Sequence, residues 1–562
     1  MPSPPAKRPP PPLNFPSDGG AVRSSALFAK QALAASLRAT DAAAADAVLN
    51  EKDLRMGYPA HIVANVKACA ASATAAERIA ADGLAFLHSS IELTKNGTAT
   101  PLSEAMALYG GRGRHAFETG GVVGGGHRSA AEGWAGGARA RLAVPRRGAA
   151  GPGVINSGVA GEGDLEGAEL LAALRRLAAR GTVEGTVPAA LEALARHPEW
   201  LDLSGRVFVV IGAGAAMGPT KELLAAGAHV IALDLPRPAI WERLIAMGRA
   251  SPGTLSFPMR SSGGGGGAGW SDAERAGVDL LAEAPEIANW LLEQQPGKLM
   301  TVGTYAYADG GLHVLCNVAA DAIMARLLAE RPGTSLSFLC SPTDVFSVPR
   351  SVREEQRRRF AARPFPQLAA LGVRNPSGSS TLFEPNDTST VGFADEADLR
   401  DQRVCIVDGI VIQQGFNYAL GKRLQHWRAI LAQRSSPVSS NVAPASWTPS
   451  VLSNAIFRTA YSGVAAFKPI ELMMPEEASA LMTLLLIRDL SDPASATQRA
   501  VRGELGSQLE LFEDTACHGG MWRVSVKVRS IVEVSALIAI ADEYGPRAVG
   551  AVGAAMYAVS KL

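Results

Sequence analysis

The sequence predicts an α/β protein whose main domain is a doubly wound parallel sheet. The first observation is an alternation of apolar strand-like runs with helical patterns from about residue 200 onward, which parallel sheets require. The second is a glycine-rich turn, residues 212–218, between a buried-strand run and a helical pattern. The third is the next apolar run, residues 229–233, which ends in the carboxylate of Asp234. Strand, glycine turn, helix, strand and acid in this order are typical of a nucleotide-binding βαβ unit.

The glycine turn supplies the candidate cofactor-binding residues. Glycine lets the backbone turn sharply and approach a pyrophosphate, whose charge lies at the N-terminus of the following helix, residues 219–227. Asp234 is expected to accept hydrogen bonds from the adenosine ribose hydroxyls, which favours NAD, with NADP as the alternative. The candidates in the turn are Gly212, Gly214, Ala216, Met217 and Gly218. The other interpretation is an ordinary βαβ turn without a nucleotide, because glycine is common in this chain.

Bulk composition narrows the class of protein. The chain has 562 residues, too many for one ordinary core, so roughly two to four domains are expected. Its 54 basic and 53 acidic side chains nearly cancel, which gives no indication of a nucleic-acid partner. The five cysteines form no CxxC pair, which predicts free thiols in a reducing compartment. No His/Cys/Asp cluster has metal-ligand spacing, so no metal is expected.

Shifts in composition predict the domain organisation. The main domain is followed and preceded by helical segments, and a long Arg- and Pro/Ser-rich insertion interrupts it. The predicted segments are a disordered Pro-rich tail (1–23), a helical N-terminal region (24–109), a Gly/Arg-rich flexible linker (110–164), a helical lead-in (165–200), the nucleotide-binding domain (201–530) with its insertion (347–402), and C-terminal helices (531–562).

The N-terminal segment leaves the localisation open between two predictions. Residues 21–40 are rich in Ala, Ser and basic residues and poor in acids, as organelle transit peptides are. The alternative is a disordered tail before an alanine-rich helix, which predicts a cytoplasmic protein. No apolar run reaches the roughly 18 to 20 residues that a membrane span needs, so no span is expected.

The alternating pattern continues beyond the first βαβ unit. Strands are predicted around Ser256, at 299–304 and at 335–340, and helices at 279–292 and 314–329. The insertion at 347–402 is too long for an ordinary loop and is typical of a lid, a partner-binding segment or disorder. Its basic cluster, residues 353–359, fits a solvated helix face, and the alternative is a phosphate contact.

A pair of residues after the insertion suits acid–base chemistry. Tyr418 and Lys422 lie four apart at the start of a helical pattern, so their side chains share one face. An ammonium near a phenol stabilises the phenolate and so assists proton transfer. The alternative is that both residues simply belong to the polar face of an amphipathic helix.

The ordered series resembles the short-chain dehydrogenase/reductase family over about residues 201–523. Members carry a Gly-x-x-x-Gly-x-Gly turn, a Ser on the fifth strand, Tyr-x-x-x-Lys on the next helix, and Asn-x-x-x-Pro-Gly on the strand after that. Gly212 and Gly218 correspond to the outer glycines, and Tyr418 and Lys422 to the helix motif. The remaining correspondences are Ser341 after the fifth strand, Asn317 on the fourth helix, and Asn441–Val–Ala–Pro444, whose loop borders the nicotinamide in the family.

The sequence departs from the family at three points. Ala216 stands at the second glycine, and the Asn-Asn-Ala-Gly signature is replaced by residues 302–309. The insertion separates Ser341 from Tyr418, which lie close in sequence in the family. Asp408 is therefore an alternative occupant of the serine's position, by its chain distance to Tyr418.

The resemblance implies an NAD(P)-dependent oxidoreductase that acts on a carbonyl or alcohol, with an acyl-linked substrate among the options and a homo-oligomer as the expected state. Tyr418 would move the proton, Lys422 would hold the nicotinamide ribose, and Ser341 would hydrogen-bond the substrate oxygen. The competing hypothesis is a catalytically degenerate Rossmann scaffold or cofactor-sensing interaction protein, whose N-terminal helices and insertion contact partners. Of the histidines, His518 is expected in a turn or at the substrate mouth, and His313 and His426 partly buried or at the surface of helices.

Overall fold

The computed structural model describes residues 11–18, 21–22, 24–124, 143–144, 164–261, 270–363, 373–374, 380–386, 389–391, 404–453 and 455–544. These form a mixed α/β structure with a seven-stranded, mostly parallel sheet and helices on both faces. The strands of this central sheet are β1 (Phe117–Val123), β2 (Val207–Ile211), β3 (His229–Leu233), β4 (Thr254–Arg260), β5 (Met300–Thr304), β6 (Ser335–Cys340) and β7 (Val438–Val442). The strands that the sequence predicts at 207–211, 229–233, 299–304 and 335–340 are confirmed.

The strand order across the sheet is β7-β6-β5-β2-β3-β4-β1. Strands β2 to β7 are parallel, and β2 lies between β3 and β5, so the chain crosses to the other half of the sheet after β4. All five residues of β2 are buried, as expected for a central strand covered on both faces.

The two faces of the sheet contact different helices. Val209 of β2 belongs to a core with the helices Leu280–Glu293, Gly311–Glu330 and Phe416–Ala432, together with the N-terminal helices. Its neighbour Val210 points the other way, because side chains alternate along a strand. That second core includes the helices Gly167–Arg180, Thr186–Arg196, Thr220–Ala225, Pro238–Arg249 and Pro475–Ser491.

The edge strand β1 corrects the prediction of a flexible linker at 110–164. It pairs antiparallel with β4 over seven residues. A Cβ at Gly120 would lie 2.5 Å from the ring of Phe257, so the glycine allows the two strands to pack closely. The linker prediction is therefore wrong for residues 117–123. Residues 125–142 and 145–163 lie outside the described part of the chain.

The N-terminal region is helical, as predicted, and packs onto the rest of the chain. Its elements are the helices Ser25–Leu37, Ala42–Asn50, Leu54–Ala71, Ala73–Ser90 and Leu102–Leu108 and a hairpin of Glu92–Lys95 with Thr98–Pro101. Trp427 Nε1 donates to Asn65 Oδ1 (3.3 Å), and a Cβ at Gly83 would overlap the Trp427 ring. These helices therefore cover the outer side of the helix that carries Tyr418.

The proline-rich tail is ordered in part. Leu13–Asn14 pair with the hairpin strand Glu92–Lys95, and Leu13 is fully buried. The prediction of a disordered tail at 1–23 is wrong for these residues, because an apolar side chain within the tail enters the core. Residues 1–10 lie outside the described residues.

The insertion at 347–402 contributes to a small three-stranded antiparallel sheet together with the segments on either side of it. Its strands are Val345–Val348, Ser389–Val391 and Val404–Asp408, with the helix Arg350–Ala361 beside them. Within the basic cluster on that helix, Arg358 is largely exposed, whereas Gln356 is buried and Arg359 pairs with Glu355 (2.5 Å). One side of the helix is therefore solvated and the other packs against the protein. The remaining α-helices of the described residues are Asp272–Arg275, Pro449–Leu452, Ala455–Val464, Ala496–Val501 and Val532–Tyr544. Residues 262–269 and 545–562 are outside the described part.

Among the described residues, one helix is long and apolar enough to cross a membrane by length and composition. It is Gly311–Glu330, and 67% of its most apolar window is buried inside the protein. The core helix of a soluble protein passes the same test, so this is weak evidence for a span. The helix carries the ion pair of Asp321 with Arg428 (2.6 Å) and contacts the Tyr418 helix.

Candidate functional site

A cavity of about 1320 Å³ opens at the carboxyl ends of the parallel strands. The residues that directly follow five of these strands line it: Gly212, Asp234, Tyr305, Ser341 and Ala443. Ligands in open parallel sheets bind at this edge, because the connections leave a crevice where the strand order reverses. All the sequence-predicted cofactor residues line this one cavity, namely Gly212, Gly214, Ala216, Met217, Gly218, Asp234, Lys422 and Pro444.

The glycine turn, residues 212–218, forms one end of the cavity. Gly212 has φ +84°, and a Cβ there would lie 2.6 Å from the backbone nitrogen of Ala306. Glycine is therefore required where the loop after β2 passes the loop after β5. The N–H groups of Ala216 and Met217 have no hydrogen-bond partner within the described residues, and Ala216 is exposed. Backbone donors are thus available at this end of the cavity.

The helix after the turn is shorter than the sequence predicts. It spans Thr220–Ala225, and Pro219 precedes it without an N–H to offer. The Thr220 hydroxyl donates to the carbonyl of Ala213 (2.8 Å) and so fixes the helix against the turn. The turn's own N–H groups, and not a long helix dipole, are therefore the donors that an anion would meet here.

Asp234 lies against the same turn. Its Oδ2 accepts from Gly214 N–H (2.7 Å), and its Oδ1 accepts from Leu235 N–H (2.8 Å). A carboxylate has about four acceptor positions, so about two remain for ligand hydroxyls. The acid that the sequence places at the end of the second strand thus keeps acceptor capacity towards the cavity.

Tyr418 and Lys422 line the middle of the cavity from one helix face. Lys422 Nζ donates to the carbonyl of Leu339 (2.9 Å) and to Gln425 Oε1 (3.2 Å), which leaves one of its three N–H donors free of these two bonds. Nζ also lies 5.8 Å from the centroid of the Tyr418 ring. The Tyr418 hydroxyl has no hydrogen-bond partner in the described part of the chain. The pair therefore has a phenol open to the cavity and an anchored cation beside it.

His313 is the functional-site residue that the sequence reasoning missed. Its ring stacks on Tyr418 with centroids 5.0 Å apart and an interplanar angle of 20°. Burial, with the nearby Lys422 ammonium, lowers the pKa of His313 to about 3, so the ring is neutral at neutral pH. Its position in the first turn of the helix after β5 was the available signal, because that turn lies at the carboxyl edge of the sheet.

Ser341 lines the cavity, and its hydroxyl is already engaged. Thr343 Oγ1 donates to Gln414 Oε1 (2.6 Å), so the Ser341 hydroxyl is the donor in its own bond to Thr343 Oγ1 (2.8 Å). Gln414 Nε2 in turn donates to the carbonyl of Thr343 (2.8 Å), which sets the amide orientation. Ser341 would have to break its bond to Thr343 before it could donate to a substrate oxygen.

Asn317 is not among the residues that line the cavity. It is buried, with Nδ2 donating to the carbonyl of His313 (2.8 Å) and Oδ1 accepting from Gln425 Nε2 (2.6 Å). Since Lys422 also donates to Gln425, Asn317 is connected to the Tyr418–Lys422 pair through one intervening side chain. Asn317 is therefore placed to hold Lys422 and His313 in position and not to contact a ligand.

The alternative candidates lie away from the cavity. Asp408, at the end of a strand of the small sheet, forms an ion pair with Arg529 and does not line the cavity. It therefore does not take the place of Ser341. His518 is fully buried, and its Nε2 bonds Glu184 Oε1 (2.9 Å). His426 is buried beside Arg423, whose Nη2 lies 2.8 Å from His426 Nδ1. Nowhere in the described ranges do three His, Cys, Asp or Glu side chains group as a metal site.

Two buried polar atoms of cavity-lining residues lack a partner within the described residues. They are His313 Nδ1 and Gln413 Oε1. Neither atom has accessible surface, so a ligand in the cavity would contact them only after a side-chain movement. No protein-family model matches the chain, and no curated protein matches it.

Proposed function

We propose that the protein is an NAD(P)-dependent oxidoreductase of the short-chain dehydrogenase type, acting on a carbonyl or alcohol. The observation that carries the proposal is the convergence of the glycine turn, Asp234, Tyr418, Lys422 and Ser341 on one cavity. The strand order supports it, because the six parallel strands, counted along the chain, lie in the order 3-2-1-4-5-6 of the Rossmann fold.

The residues at the glycine-turn end fit a dinucleotide. The absent Cβ of Gly212 leaves the backbone close-packed at the strand crossover, and the N–H groups of Ala216 and Met217 are available to a pyrophosphate. Asp234 would accept from the adenosine ribose, and its charge would repel a 2′-phosphate, which favours NAD. Lys422 would donate to the nicotinamide ribose with its remaining N–H.

The residues at the tyrosine end fit proton transfer. A bound nicotinamide would supply or accept the hydride, which is the chemistry of the cofactor itself. Tyr418 would give its hydroxyl proton to the substrate oxygen in reduction and take it back in oxidation, and the Lys422 ammonium would stabilise the phenolate in between. The neutral His313 ring stacked on Tyr418 would hold the phenol in place, because its face fixes the plane of the tyrosine ring.

Removal of the Tyr418 hydroxyl tests the proposal. Tyr418→Phe should lower turnover of aldehydes or ketones with NADH by about 10²- to 10⁴-fold, the usual contribution of one acid–base group. The affinity for NADH, measured by fluorescence or calorimetric titration, should stay unchanged, because the hydroxyl holds no other described residue.

Tyr307→Phe is the matched control. Tyr307 lines the same cavity and its ring centroid lies 6.3 Å from that of Tyr418, but its hydroxyl donates to Asp309 Oδ1 (2.8 Å). This variant should retain turnover within a few-fold. Full turnover in Tyr418→Phe, or equal losses in both variants, would refute the assigned role.

The second candidate is a cofactor-sensing scaffold without catalysis. The engagement of Ser341 with Thr343 favours it, because a serine that already donates elsewhere does not stabilise a substrate oxygen. A sensor of this kind would bind NADH or NADPH and would turn over no carbonyl or alcohol. Tyr418→Phe would then leave the dinucleotide affinity unchanged, with no turnover to lose. If the protein bound neither NADH nor NADPH, both the oxidoreductase and the sensor would be excluded.

A further inference from the structure

The cavity continues past Tyr418 into an apolar chamber. The helix Ala455–Val464 and the start of the helix Val532–Tyr544, which pack against each other, both contribute to its wall. Its lining residues are Val411, Ala445, Phe457, Ala460, Tyr461, Val464, Leu472, Met521, Val528, Ile531, Val532 and Ser535. Among these described lining residues, no side chain carries a charge.

The spacing of the lining residues explains how the chamber forms. Phe457, Ala460, Tyr461 and Val464 are at positions i, i+3, i+4 and i+7, so they occupy one face of their helix. A Cβ at Gly463 would overlap the carbonyl of Ser535, so the two helices touch there at backbone level. Gly463 lies about 120° around the helix from Phe457, so this close contact borders the face that lines the cavity.

The chamber is directly continuous with the candidate catalytic residues. Burial raises the pKa of Tyr461, and Tyr418 is near enough to raise it further. Val411, in the segment just before the Tyr418 helix, lines the chamber as well. A ligand that presents an oxygen to Tyr418 therefore has its remaining atoms directed either to the glycine turn or into the chamber.

The cavity is also too large for one small ligand. Its volume of about 1320 Å³ exceeds the roughly 300–1000 Å³ of ordinary small-molecule pockets. The charged groups assigned to a dinucleotide, Asp234 and Lys422, lie at the glycine-turn end and in the middle of the cavity. The chamber is left for a second molecule, and with no charged group in its wall it would leave an ionised tail without a partner.

We propose that the chamber binds the unbranched aliphatic chain of a long-chain alcohol or aldehyde whose functional carbon lies at Tyr418 and whose far end is apolar. The role of this ligand as a substrate rests on the proposed oxidoreductase function. Its binding does not, because apolar burial in the chamber supplies the affinity.

A series of alkanols tests the binding directly on the full chain. Butanol, hexanol, octanol and decanol are titrated by calorimetry, with and without NADH. Affinity should rise by up to about fourfold for each added methylene, equivalent to about 0.8 kcal/mol, until the chain exceeds the chamber. The diol of octane should bind at least about tenfold more weakly than octanol, because its second hydroxyl would enter the apolar end. Affinity independent of chain length, or equal affinity for octanol and its diol, would overturn the proposal.

Variants place the chain in the chamber. Ala460→Phe and Val528→Phe each add a ring at a lining position from a different element, and both residues are 4% exposed. Each should weaken octanol binding by at least about tenfold while the affinity for NADH stays unchanged, since the glycine turn is at the other end. Arg458→Phe is the control, because it adds the same ring to the same helix at an exposed position that does not line the cavity.

Thermal unfolding shows whether a variant is folded, and the two filling variants come from different elements, so misfolding of one leaves the other informative. Octanol binding that both folded variants retain would overturn the proposal. The two proposals fail separately. If alkanol affinity depends on chain length but no dinucleotide binds, the chamber proposal stands and the oxidoreductase proposal fails. If short aldehydes are turned over with a dinucleotide but affinity does not depend on chain length, the oxidoreductase proposal stands and the chamber proposal fails.

Discussion

The two ends of the cavity are built from different parts of the chain. The glycine-turn end is built by backbone groups that are close in sequence, with Gly214 N–H bonded to Asp234 only 20 residues away. The tyrosine end is built by side chains from distant segments, for example Thr343 bonded to Gln414 across 71 residues. Local backbone geometry leaves a signature in the sequence, whereas a side-chain network assembled by the fold does not. The proposal of nucleotide binding therefore rests on local backbone geometry at the first end. The proposal of proton transfer rests on a side-chain arrangement at the second end.

The largest expected effect tests the backbone end. Gly212→Ala places a Cβ 2.6 Å from Ala306 N at a φ of +84°, so the two loops must separate. We expect a loss of about 2–4 kcal/mol in the free energy of unfolding, measured by urea titration, together with loss of NADH binding. Ala216→Gly is the control, since that side chain is exposed, and it should change stability by less than about 1 kcal/mol. Equal effects at the two positions would show that the turn is not constrained as described.

Asp234→Asn tests whether the same end selects the cofactor. The substitution keeps the shape and an acceptor for Gly214 N–H but removes the charge. Affinity for NADH should fall by about 10- to 100-fold, as expected for loss of charge-assisted hydrogen bonds. Affinity for NADPH should fall less, because repulsion of its 2′-phosphate disappears. The dissociation constant for NADPH should therefore move closer to that for NADH. An unchanged ratio would remove Asp234 from the ribose site.

The pH dependence of stability tests the side-chain end through His313. Its folded pKa of about 3 lies below the ordinary value of 6.5, so between these values the unfolded state binds the proton and the folded state does not. The free energy of unfolding should therefore decrease as the pH falls from about 6.5 to 3, by up to about 1.4 kcal/mol per pH unit.

His313→Gln should flatten this part of the stability curve, because it removes the titrating ring and keeps a polar side chain of similar length. The measurement is guanidinium unfolding at a series of pH values, with His197→Gln as control. His197 is about half exposed and bonds Glu199 (2.9 Å), so His197→Gln should change the slope less than His313→Gln does. A slope that survives His313→Gln would mean that His313 is not the group that resists protonation.

The smallest effect concerns the serine. Thr343→Val keeps the side-chain volume but removes the acceptor of the Ser341 proton, which frees Ser341 to turn towards a substrate. Turnover should stay within about threefold of the unaltered protein, in the upward direction, whereas Ser341→Ala should lower it about tenfold or more. If Thr343→Val abolishes turnover and Ser341→Ala does not, Thr343 is the residue that contacts the substrate, since it lines the cavity too.

Sequence reasoning predicted the strands of the central sheet well because buried parallel strands are continuous apolar runs that need no partner to be recognised. It placed Tyr418 and Lys422 on one helix face from their spacing alone, and the helix Phe416–Ala432 agrees. It was wrong about residues 117–123, since the two glycines there resemble a linker but serve close strand packing. It also missed His313, whose role depends on the ring of Tyr418, about a hundred residues further along the chain.

By itself the sequence determined the mixed α/β class, the βαβ unit with its glycine turn and acid, and the Tyr418–Lys422 spacing. Each of these depends on neighbours in the chain, where steric limits and helix periodicity act directly. Only the tertiary structure decided that Ser341 lies at the same cavity despite the insertion, that its proton is held by Thr343, and that two distant helices wall an apolar chamber beside Tyr418. The physical reason is that hydrogen bonds and apolar contacts between segments far apart in sequence form only when the whole core packs, and they leave no periodic trace in the chain.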